Sequence, residues 1–330
     1  MSGDKNTLDS VRESIDAIDQ ELRRLLNERA AWALKVAEIK LADPGEEPPV
    51  FYRPEREAQI LARLKKENEG PLSDDDIARL FREIISCCRT LEQPLTISYL
   101  GPPGTYSEMA VIKQFGHFAR PQSLASIDEV FREVESEGAH YGVVPIENST
   151  EGMVNHTLDC FMESPLQICA EVELPIHQAF MVSTKKTDEP ITEIISHAQS
   201  LAQCRSWLDA HYAGVSRVAV NSNAEAARQV ADKPGSAAIA GEMAAERYGL
   251  RVLASKIEDH SDNKTRFLVI GKQKTGPSGR DKTSILVSTK NAPGALYKVL
   301  EPFHRREISL TRIETRPAKS GDWSYVFFID

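Results

Sequence analysis

The sequence is short of cysteine, of positive charge and of long apolar runs. Its five cysteines are an odd number without the spacing of a metal site, which predicts reduced thiols and a cytoplasmic location. Because no apolar run reaches membrane length and no signal peptide is visible, we expect no membrane partner. A net charge of −9 argues against nucleic acid as the main partner.

The composition is otherwise that of a folded protein with several cores. The 330 residues are 41% hydrophobic and 27% charged, and this length predicts two or three domains. The negative net charge does not exclude a small anionic substrate, because local Arg and Lys residues determine the charge of a pocket. We expect no metal and no cofactor, since the sequence has neither metal-ligand spacing nor a specific phosphate-binding glycine loop.

Residues 8–40 have the pattern of one long helix that requires a partner. Apolar residues recur every seven positions along two registers, and neither Pro nor Gly interrupts them. Ser10 and Glu13 have the spacing of a capping box at the start of the helix. At about 1.5 Å per residue the helix is roughly 50 Å long, and it needs an apolar neighbour along its length. The pattern therefore predicts a homodimer or a higher even oligomer.

Three cations on this helix carry the functional signal. Arg29 interrupts the apolar seam, where an unpaired guanidinium is costly and must meet an anion. Lys40 lies about three turns further along the helix and points the same way. Arg12 is roughly 25 Å from Arg29, so it can reach the same ligand only in the site of a partner chain. The alternative is an ordinary coiled-coil helix with one snorkelling Arg.

The region up to residue 93 is predicted to be entirely helical. A second helix follows Pro54, and Ser73 with three Asp residues begins a third helix that places Cys88 and Glu92 on one face. Residues 8–92 resemble the all-helical chorismate mutases, which are intertwined dimers with three helices per chain. The residues that carry the resemblance are Arg12, Arg29, Lys40, the stretch Tyr52–Glu57 and Glu92.

The resemblance implies roles in the rearrangement of chorismate. Lys40 and Glu92 would hydrogen-bond the ether oxygen, on which negative charge grows in the transition state. Because a carboxylate cannot donate a hydrogen bond, Glu92 must be protonated, and its surroundings must raise its pKa. Arg12 of the partner subunit and Arg29 would hold the two carboxylates. The implied substrate-binding residues are Arg12, Arg29, Arg53, Glu57 (on the hydroxyl) and Cys88 (a small residue beside the site).

From Leu95 onward, short apolar strands alternate with helices, which predicts an α/β fold. Polar clusters directly follow several strands, where open α/β sheets bind ligands. The clusters Gly101–Ser107, Glu147–Ser149, Ser196–Gln199 with Gln203 and Cys204, and Asn263–Phe267 resemble the signatures of prephenate dehydratases over about residues 95–272. The resemblance implies two lobes, like those of the type 2 periplasmic binding proteins. Lobe 1 would cover about 95–174 and 255–272, and lobe 2 about 175–254.

This resemblance also implies a reaction. Dehydration of prephenate expels hydroxide, a poor leaving group, while carbon dioxide leaves, so a positioned proton donor is needed. Thr265 would be that donor or would polarise the hydroxyl, and Arg266 would anchor a carboxylate bidentately. Taken alone, Thr265–Phe267 would indicate only the start of a strand. His197 is either a proton carrier or an orienting residue, and it is left out of the catalytic set. The implied substrate-binding residues are Thr105, Tyr106, Ser107, Glu147, Asn148, Ser149, Ser196, Gln203 and Arg266.

Residues 282–330 follow a linker at 273–281 that is rich in Gly, Pro and Ser. Strands are predicted at Thr283–Thr289, Ile308–Thr315 and Trp323–Ile329, and a helix opens at Ala292–Leu296. The pattern resembles the α+β ferredoxin-like ACT domain, without its second helix and fourth strand. We expect the resulting open sheet edge to weaken or abolish phenylalanine inhibition and to leave a mobile C-terminus. The implied phenylalanine-binding residues are Gly294, Ala295, Leu296, Glu314, Thr315 and Arg316.

The expected fold class is therefore multidomain. An all-α mutase domain (1–93) precedes a two-lobed α/β dehydratase domain (95–272) and a partial ACT domain (282–330). The expected function is a cofactor-free, bifunctional isomerase and lyase that converts chorismate through prephenate to phenylpyruvate in phenylalanine biosynthesis. The alternative is a non-catalytic amino-acid or carboxylate sensor with degenerate sites. It is disfavoured because the charged and hydroxyl residues of both sites are all present.

Overall fold

The computed structural model of the chain describes residues 7–42, 50–185, 189–290, 292–318 and 325–330. Trp323, expected in the last strand, lies outside these residues. The described chain forms two compact units. Unit 1 comprises the residues up to Leu95 together with Phe115–Arg120, and unit 2 comprises Thr96–Gln114 and Pro121–Asp330. Among the described residues, none of the helices combines the length and the apolarity that a membrane span requires.

The described part of unit 1 contains the helices α1 (Leu8–Ala42), α2 (Pro54–Lys66) and α3 (Asp74–Glu92). Ser73 caps α3 by accepting a hydrogen bond from the backbone N–H of Asp76, as its place before three acids predicts. The capping box predicted at Ser10 is wrong. Ser10 already lies inside α1, and its backbone N–H donates to Thr7 Oγ1 over 3.2 Å, so Thr7 caps the helix.

The apolar seam of α1 is uncovered in the single chain. Ile18, Trp32 and Ile39 are each more than half exposed. The described residues of α1 that are buried are the small Ala33 and Ala37. A 35-residue helix of this kind gains little stability by itself, because helices in proteins are held mainly by packing of an apolar face. The exposed seam therefore has the character of an association surface.

Unit 2 contains the remaining elements. Its strands are β1 (Thr96–Leu100), β2 (Arg120–Leu124), β3 (Tyr141–Asn148), β4 (Gly152–Met153), β5 (Gln167–Pro175), β6 (Ala179–Ser183), β7 (Glu193–His197), β8 (Ser216–Val220), β9 (Ser236–Ala240), β10 (Leu250–Ser255), β11 (Lys264–Gly271), β12 (Ile285–Thr289), β13 (Ile313–Pro317) and β14 (Tyr325–Ile329). Its helices are α4 (Tyr106–Phe115), α5 (Ile127–Glu135), α6 (Asn155–Phe161), α7 (Ala198–Gln203), α8 (Arg205–His211), α9 (Asn223–Ala231), α10 (Glu242–Tyr248) and α11 (Ala295–Arg305).

Two α/β sheets form the body of unit 2. The first has the strand order β2-β1-β3-β11-β5, and the second has the order β10-β6-β9-β7-β8. The chain leaves the first sheet after β5 and returns to it with β11, which gives two lobes. Strand β1 runs parallel to β3, and β7 runs parallel to β8 and β9. Each lobe therefore collects the loops that follow its parallel strands at one edge of its sheet, where such folds bind ligands.

A third, antiparallel sheet of the order β12-β14-β13 lies at the end of the chain. The strand predicted at Ile308–Thr315 begins only at Ile313. Its first part instead closes the end of α11, where Glu307 has a φ of +54° and the Ile308 N–H donates to the Phe303 oxygen. In this sheet Phe328 packs against the core of lobe 1.

Candidate active sites

A lysine and a glutamate come together at one face of unit 1. Lys40 Nζ, near the end of α1, lies 3.7 Å from Glu92 Oε2 at the end of α3. It also donates a hydrogen bond to the backbone oxygen of Val50 over 3.0 Å. Arg29 Nη1 lies 3.5 Å from the backbone oxygen of Ile84 on α3, and the charge of Arg29 reaches Glu92. The structure therefore brings the predicted residues Arg29, Lys40 and Glu92 together.

Partial burial shifts this pair toward its neutral forms. Burial raises the pKa of Glu92 above its ordinary value, against the opposing effect of Lys40. Burial lowers the pKa of Lys40, an effect that Glu92 opposes and Arg53 reinforces. The direction for Glu92 is the one that a proton-donating carboxyl requires. A protonated Glu92 beside Lys40 presents two hydrogen-bond donors to one anionic oxygen.

Glu57, expected on the substrate hydroxyl, is part of a buried ion pair. Arg89 Nη1 donates to Glu57 Oε2 over 2.9 Å, and Arg82 Nε lies 4.0 Å from Glu57 Oε1. Arg89 Nη2 donates to the backbone oxygen of Phe115 over 2.8 Å, and the guanidinium carbon lies 4.8 Å from the centre of the Tyr52 ring. Burial raises the pKa of Glu57, because desolvation outweighs the attraction of the two arginines.

Arg12 stands apart from the other predicted mutase residues in the single chain. Its guanidinium lies 3.6 Å from Asp9 on the same exposed face of α1. Cys88 is buried, as a small residue beside the site would be, and Arg53 is exposed at the start of α2. Arg89 was missed by the sequence reasoning, although its place directly after Cys88 in the apolar pattern of α3 marks a cation that must be paired.

The end of β3 and the start of β11 carry a hydrogen-bonded polar group. The two strands are antiparallel, and their register puts Thr265 opposite Asn148. Asn148 Nδ2 donates to Thr265 Oγ1 over 2.9 Å and to Asn263 Oδ1 over 2.8 Å. Ser149 Oγ lies 3.3 Å from the same Asn263 oxygen. The structure thus brings the predicted residues Asn148, Ser149 and Thr265 together with Asn263, which the sequence placed only in the surrounding motif.

The hydrogen bonds of Asn148 leave the hydroxyl proton of Thr265 available for donation. Asn148 Oδ1 accepts the backbone N–H groups of Thr150 (3.0 Å) and Glu151 (3.1 Å), which directs its amide nitrogen toward Thr265. Because Thr265 Oγ1 already accepts from Asn148, its own hydroxyl proton is available to a ligand oxygen. A hydroxyl held in this way is suited to general-acid chemistry.

Arg266 and Glu147 lie on the opposite face of the sheet from Thr265. Successive side chains of a strand alternate between faces, and the register pairs Arg266 with Glu147. Arg266 Nε lies 3.3 Å from Glu147, and its Nη1 lies 3.0 Å from Glu171 and 3.1 Å from Asp330. The substrate-binding roles of Arg266 and Glu147 stay predictions; in the structure, carboxylates of the chain itself surround the Arg266 guanidinium.

A second polar group lies at the C-terminal ends of the parallel strands of lobe 2. Ser196 is fully buried, and its hydroxyl lies 2.6 Å from the backbone oxygen of Ile239 and 3.1 Å from Asn223 Oδ1. The Asn223 oxygen also accepts from the Ser200 hydroxyl (3.0 Å) and from the backbone N–H of His197 (3.2 Å). Sequence reasoning missed Asn223, although it begins α9 directly after β8 and so lies at a strand end.

The loop Gly101–Ser107 of lobe 1 contacts lobe 2 through Tyr106. The Tyr106 hydroxyl donates a hydrogen bond to the backbone oxygen of His177 over 2.6 Å. The Tyr106 ring also packs so closely on Gly241 that a Cβ there would lie 3.2 Å away. Burial raises the pKa of Tyr106, so this hydroxyl stays protonated. Gly104 adopts a φ of +88°, a conformation that favours glycine.

Three further predicted residues lie around this loop and α7. Thr105 Oγ1 lies 3.4 Å from the backbone oxygen of Leu100, and Ser107 is buried. The amide nitrogen of Gln203 is buried and finds no hydrogen-bond partner among the described residues. Beside the loop, a cavity of about 470 Å³ opens between Pro102 and the residues that join β8 to α9. The strand-end region thus has room for a small molecule.

The predicted phenylalanine-binding residues lie in two segments of residues 282–330, which are called the C-terminal module below. Gly294, with a φ of +79°, directly precedes α11, which begins with Ala295 and Leu296. Glu314, Thr315 and Arg316 lie on β13. Arg316 makes a bidentate ion pair with Asp159 of α6, with distances of 2.7 and 2.8 Å. Arg316 is therefore attached to lobe 1.

The cysteines are free thiols, and Cys169 and Cys204 are buried. Burial raises the pKa of Cys160 and Cys204 to about 12, so both stay protonated near neutral pH. The fold also groups Asp128, His156 and Cys160, whose ligand atoms lie within 4.8 Å of one another. In this group His156 Nε2 and Asp128 Oδ2 are already paired with each other at 2.5 Å.

Comparison with known proteins gives a family match for the helical region and for the α/β region. A family model for chorismate mutase type II matches residues 11–93, and one for prephenate dehydratase matches residues 97–275. The bifunctional chorismate mutase/prephenate dehydratase of Stutzerimonas stutzeri is 58% identical over 98% of this chain and 89% of its own length. That of Pseudomonas aeruginosa is 57% identical over 99% of this chain and 90% of its own length. The crystal structure of prephenate dehydratase from Arthrobacter aurescens in complex with L-Phe is 33% identical, with a TM-score of 0.65 over 71% of this chain and 79% of that chain.

Proposed function

Because the chain belongs to the family of bifunctional chorismate mutase/prephenate dehydratases, we propose how its described residues divide the two reactions. The chain is an enzyme of phenylalanine biosynthesis that rearranges chorismate to prephenate and converts prephenate to phenylpyruvate. Its helical region is the chorismate mutase domain, and its α/β region is the prephenate dehydratase domain. The proposal is carried by one observation: a single chain holds both the Lys40–Glu92 pair and the Asn148–Thr265 hydrogen bond.

The mutase reaction needs positioning and charge stabilisation, without a covalent step. Arg29 holds one carboxylate of chorismate. Lys40 and protonated Glu92 donate hydrogen bonds to the ether oxygen, a role supported by their 3.7 Å separation and by the raised pKa of Glu92. Glu57 keeps Oε2 on Arg89 and accepts a hydrogen bond from the substrate hydroxyl with Oε1, which lies 4.0 Å from Arg82 Nε.

The second carboxylate of chorismate is held by Arg12 of the partner subunit. Two observations support this assignment. The apolar seam of α1 is exposed over the length of the helix, so a second copy has a surface on which to pair. Arg12 itself is exposed and lies on the same helix as Arg29 at a distance that one small ligand cannot span. The active form is then a homodimer, with each mutase site built from both chains.

In the dehydratase domain, Thr265 gives its hydroxyl proton to the leaving hydroxyl group of prephenate. The carbon–oxygen bond breaks as water leaves, and the bond to the ring carboxylate breaks as carbon dioxide leaves. The electron pair of that second bond completes the aromatic ring. The reaction consumes one proton, which Thr265 recovers from solvent. Asn148 holds Thr265 in its donating orientation, and Thr105 and Ser149 offer hydrogen bonds to the substrate.

We propose residues 1–93 and 95–272 as the two catalytic domains, 273–281 as a linker and 282–330 as an ACT domain that binds phenylalanine. Weak binding is expected, because Arg316 is already paired with Asp159 and a ligand must compete for it. Isothermal titration with phenylalanine tests this proposal, and tight binding would contradict the expected weakness.

Separate ultraviolet assays on chorismate and on prephenate test whether the two reactions take place at separate sites. Lys40→Ala is expected to abolish the mutase reaction and to spare the dehydratase reaction. Thr265→Val, which removes the hydroxyl at nearly constant volume, is expected to do the reverse. If either variant lost both activities while its circular dichroism stayed native, the two reactions would not be assigned to separate sites.

A further inference from the structure

A charge network joins the C-terminal module to the strand ends of the dehydratase site. We propose that Arg312 and Asp330 are positioning residues for prephenate dehydration. They act through Glu147 and Arg266. Glu147 is next in the chain to Asn148, which is proposed to orient Thr265, and Arg266 is next to Thr265, which is proposed to give the proton. This inference rests on the proposed roles of Asn148 and Thr265.

The network is compact and balanced in charge. The Arg266 side chain is only 11% exposed, and its guanidinium lies 3.3 Å from Glu147, 3.0 Å from Glu171 and 3.1 Å from Asp330. Arg312 Nη2 donates to Glu147. Lys282 Nζ lies 3.0 Å from Glu171 and adds a third cation. The network therefore contains three cations and three carboxylates: Arg266, Arg312, Lys282, Glu147, Glu171 and Asp330. Removing one partner of such a shielded ion pair costs much more free energy than removing one partner of an exposed pair.

Backbone hydrogen bonds join Arg312 and Asp330 within the C-terminal module. The Asp330 backbone N–H donates to the Arg312 oxygen over 3.1 Å, and the Thr311 N–H donates to the Asp330 oxygen over 2.9 Å. The Asp330 side chain, 13% exposed, accepts from the Ser284 hydroxyl over 2.6 Å with its other oxygen. The module therefore presents one cation and one carboxylate in a fixed relation to lobe 1.

The strand ends that receive these contacts have a weakened ladder. Glu147 directly precedes Asn148 in β3, and Arg266 directly follows Thr265 in β11. The β3–β11 register shifts between Arg266 and Phe267, so the regular pairing is interrupted next to the site. Side-chain contacts on the far face then help to fix the Asn148–Thr265 hydrogen bond. A misplacement of about 1 Å at a reacting group can cost on the order of a hundredfold in rate.

The test uses the full chain, in which the mutase reaction serves as an internal control. Arg312→Gln and Asp330→Asn are each expected to lower the dehydratase kcat roughly tenfold to a hundredfold, with KM for prephenate within about twofold of the unchanged enzyme. Arg312→Lys keeps a cation beside Glu147 and is expected to recover most of the rate. Mutase turnover should stay unchanged in all three.

Asp159→Asn provides the matched control. It breaks the bidentate pair with Arg316, a comparable contact between the same module and lobe 1 that lies on α6 instead of on the β3 and β11 ends. Its dehydratase kcat should stay near that of the unchanged enzyme. A loss as large as that in Arg312→Gln would mean that any loosening of the module slows the reaction, and the specific role of Arg312 and Asp330 would be refuted.

Two further outcomes separate this inference from the proposed function. If Thr265→Val stayed active, the proposed function itself would fail. If Thr265→Val were inactive while Arg312→Gln and Asp330→Asn kept full kcat, the positioning role alone would fail. Should Arg312→Gln fold poorly, Asp330→Asn and Arg312→Lys decide between the same alternatives.

Discussion

Thr265 and Arg266 are consecutive in β11, and their side chains leave opposite faces of the sheet. The Thr265 face carries the hydrogen bond from Asn148, and the Arg266 face carries the ion pairs to Glu147, Glu171 and Asp330. A single strand end thus serves the proposed chemistry on one side and the C-terminal module on the other. The motif therefore joins two tasks on opposite faces of one strand.

Asn148→Ala should lower the dehydratase kcat by about 10²-fold, because Thr265 loses the donor that frees its proton for the substrate. Asn148→Asp should be at least as slow, since a carboxylate would accept the Thr265 proton instead. Phenylpyruvate formation measures both, and chorismate turnover by the same chains is the control. An Asn148→Asp enzyme with full activity would remove this hydrogen bond from the mechanism.

The mutase reaction should slow as the pH rises. Burial raises the pKa of Glu92, so the protonated, donating form is present below that pKa and is lost as the pH passes through it. Glu92→Gln keeps a donor at every pH and should flatten the profile of kcat for chorismate. If the unchanged enzyme and Glu92→Gln gave the same pH profile, Glu92 would not supply the proton.

Arg89→Met should destabilise the helical domain by about 3 kcal/mol, because it leaves Glu57 buried without its closest cation. Arg89 lowers the pKa of Glu57, so its removal raises that pKa further. A carboxyl whose pKa is higher folded than unfolded stabilises the fold at low pH, and this contribution disappears as the pH rises through the folded value. The loss should therefore be small in acid and larger near neutrality.

Urea unfolding at about pH 5 and about pH 8, followed by far-ultraviolet circular dichroism, measures this effect. Glu57→Gln/Arg89→Met is the matched control, because it removes both charges and should recover part of the stability. A loss in Arg89→Met that is equal at both pH values would show that its cause is lost packing rather than the stranded carboxylate.

The periodic elements were readable from the sequence. The helix predicted over residues 8–40 is found at Leu8–Ala42, because an uninterrupted seven-residue apolar repeat leaves few alternatives. The local signals at its ends were weaker. Ser10 has the spacing of a cap, but Thr7 takes that place one turn earlier, since two candidate caps compete and packing does not decide between them.

The site was readable only where a motif lies at a strand end. Asn148 and Thr265 meet because the register of β3 and β11 puts them opposite each other. Arg89 and Asn223 were missed, because their partners are distant in sequence and come together only through the fold. The separation of Arg266 from Thr265 had a local signal, since successive side chains of a strand point to opposite faces.

The central claim is that Arg12 completes the mutase site of the other subunit, and mixing two inactive variants tests it directly. Arg12→Ala and Lys40→Ala should each turn over chorismate very slowly when purified alone. Unfolded together and refolded as a mixture, half of the dimers pair one chain of each kind, and each of these contains one intact site. The mixture should regain about a quarter of the unchanged mutase activity in a two-fold symmetric dimer. A mixture no more active than its separate components, or an Arg12→Ala enzyme with full mutase activity, would contradict the claim.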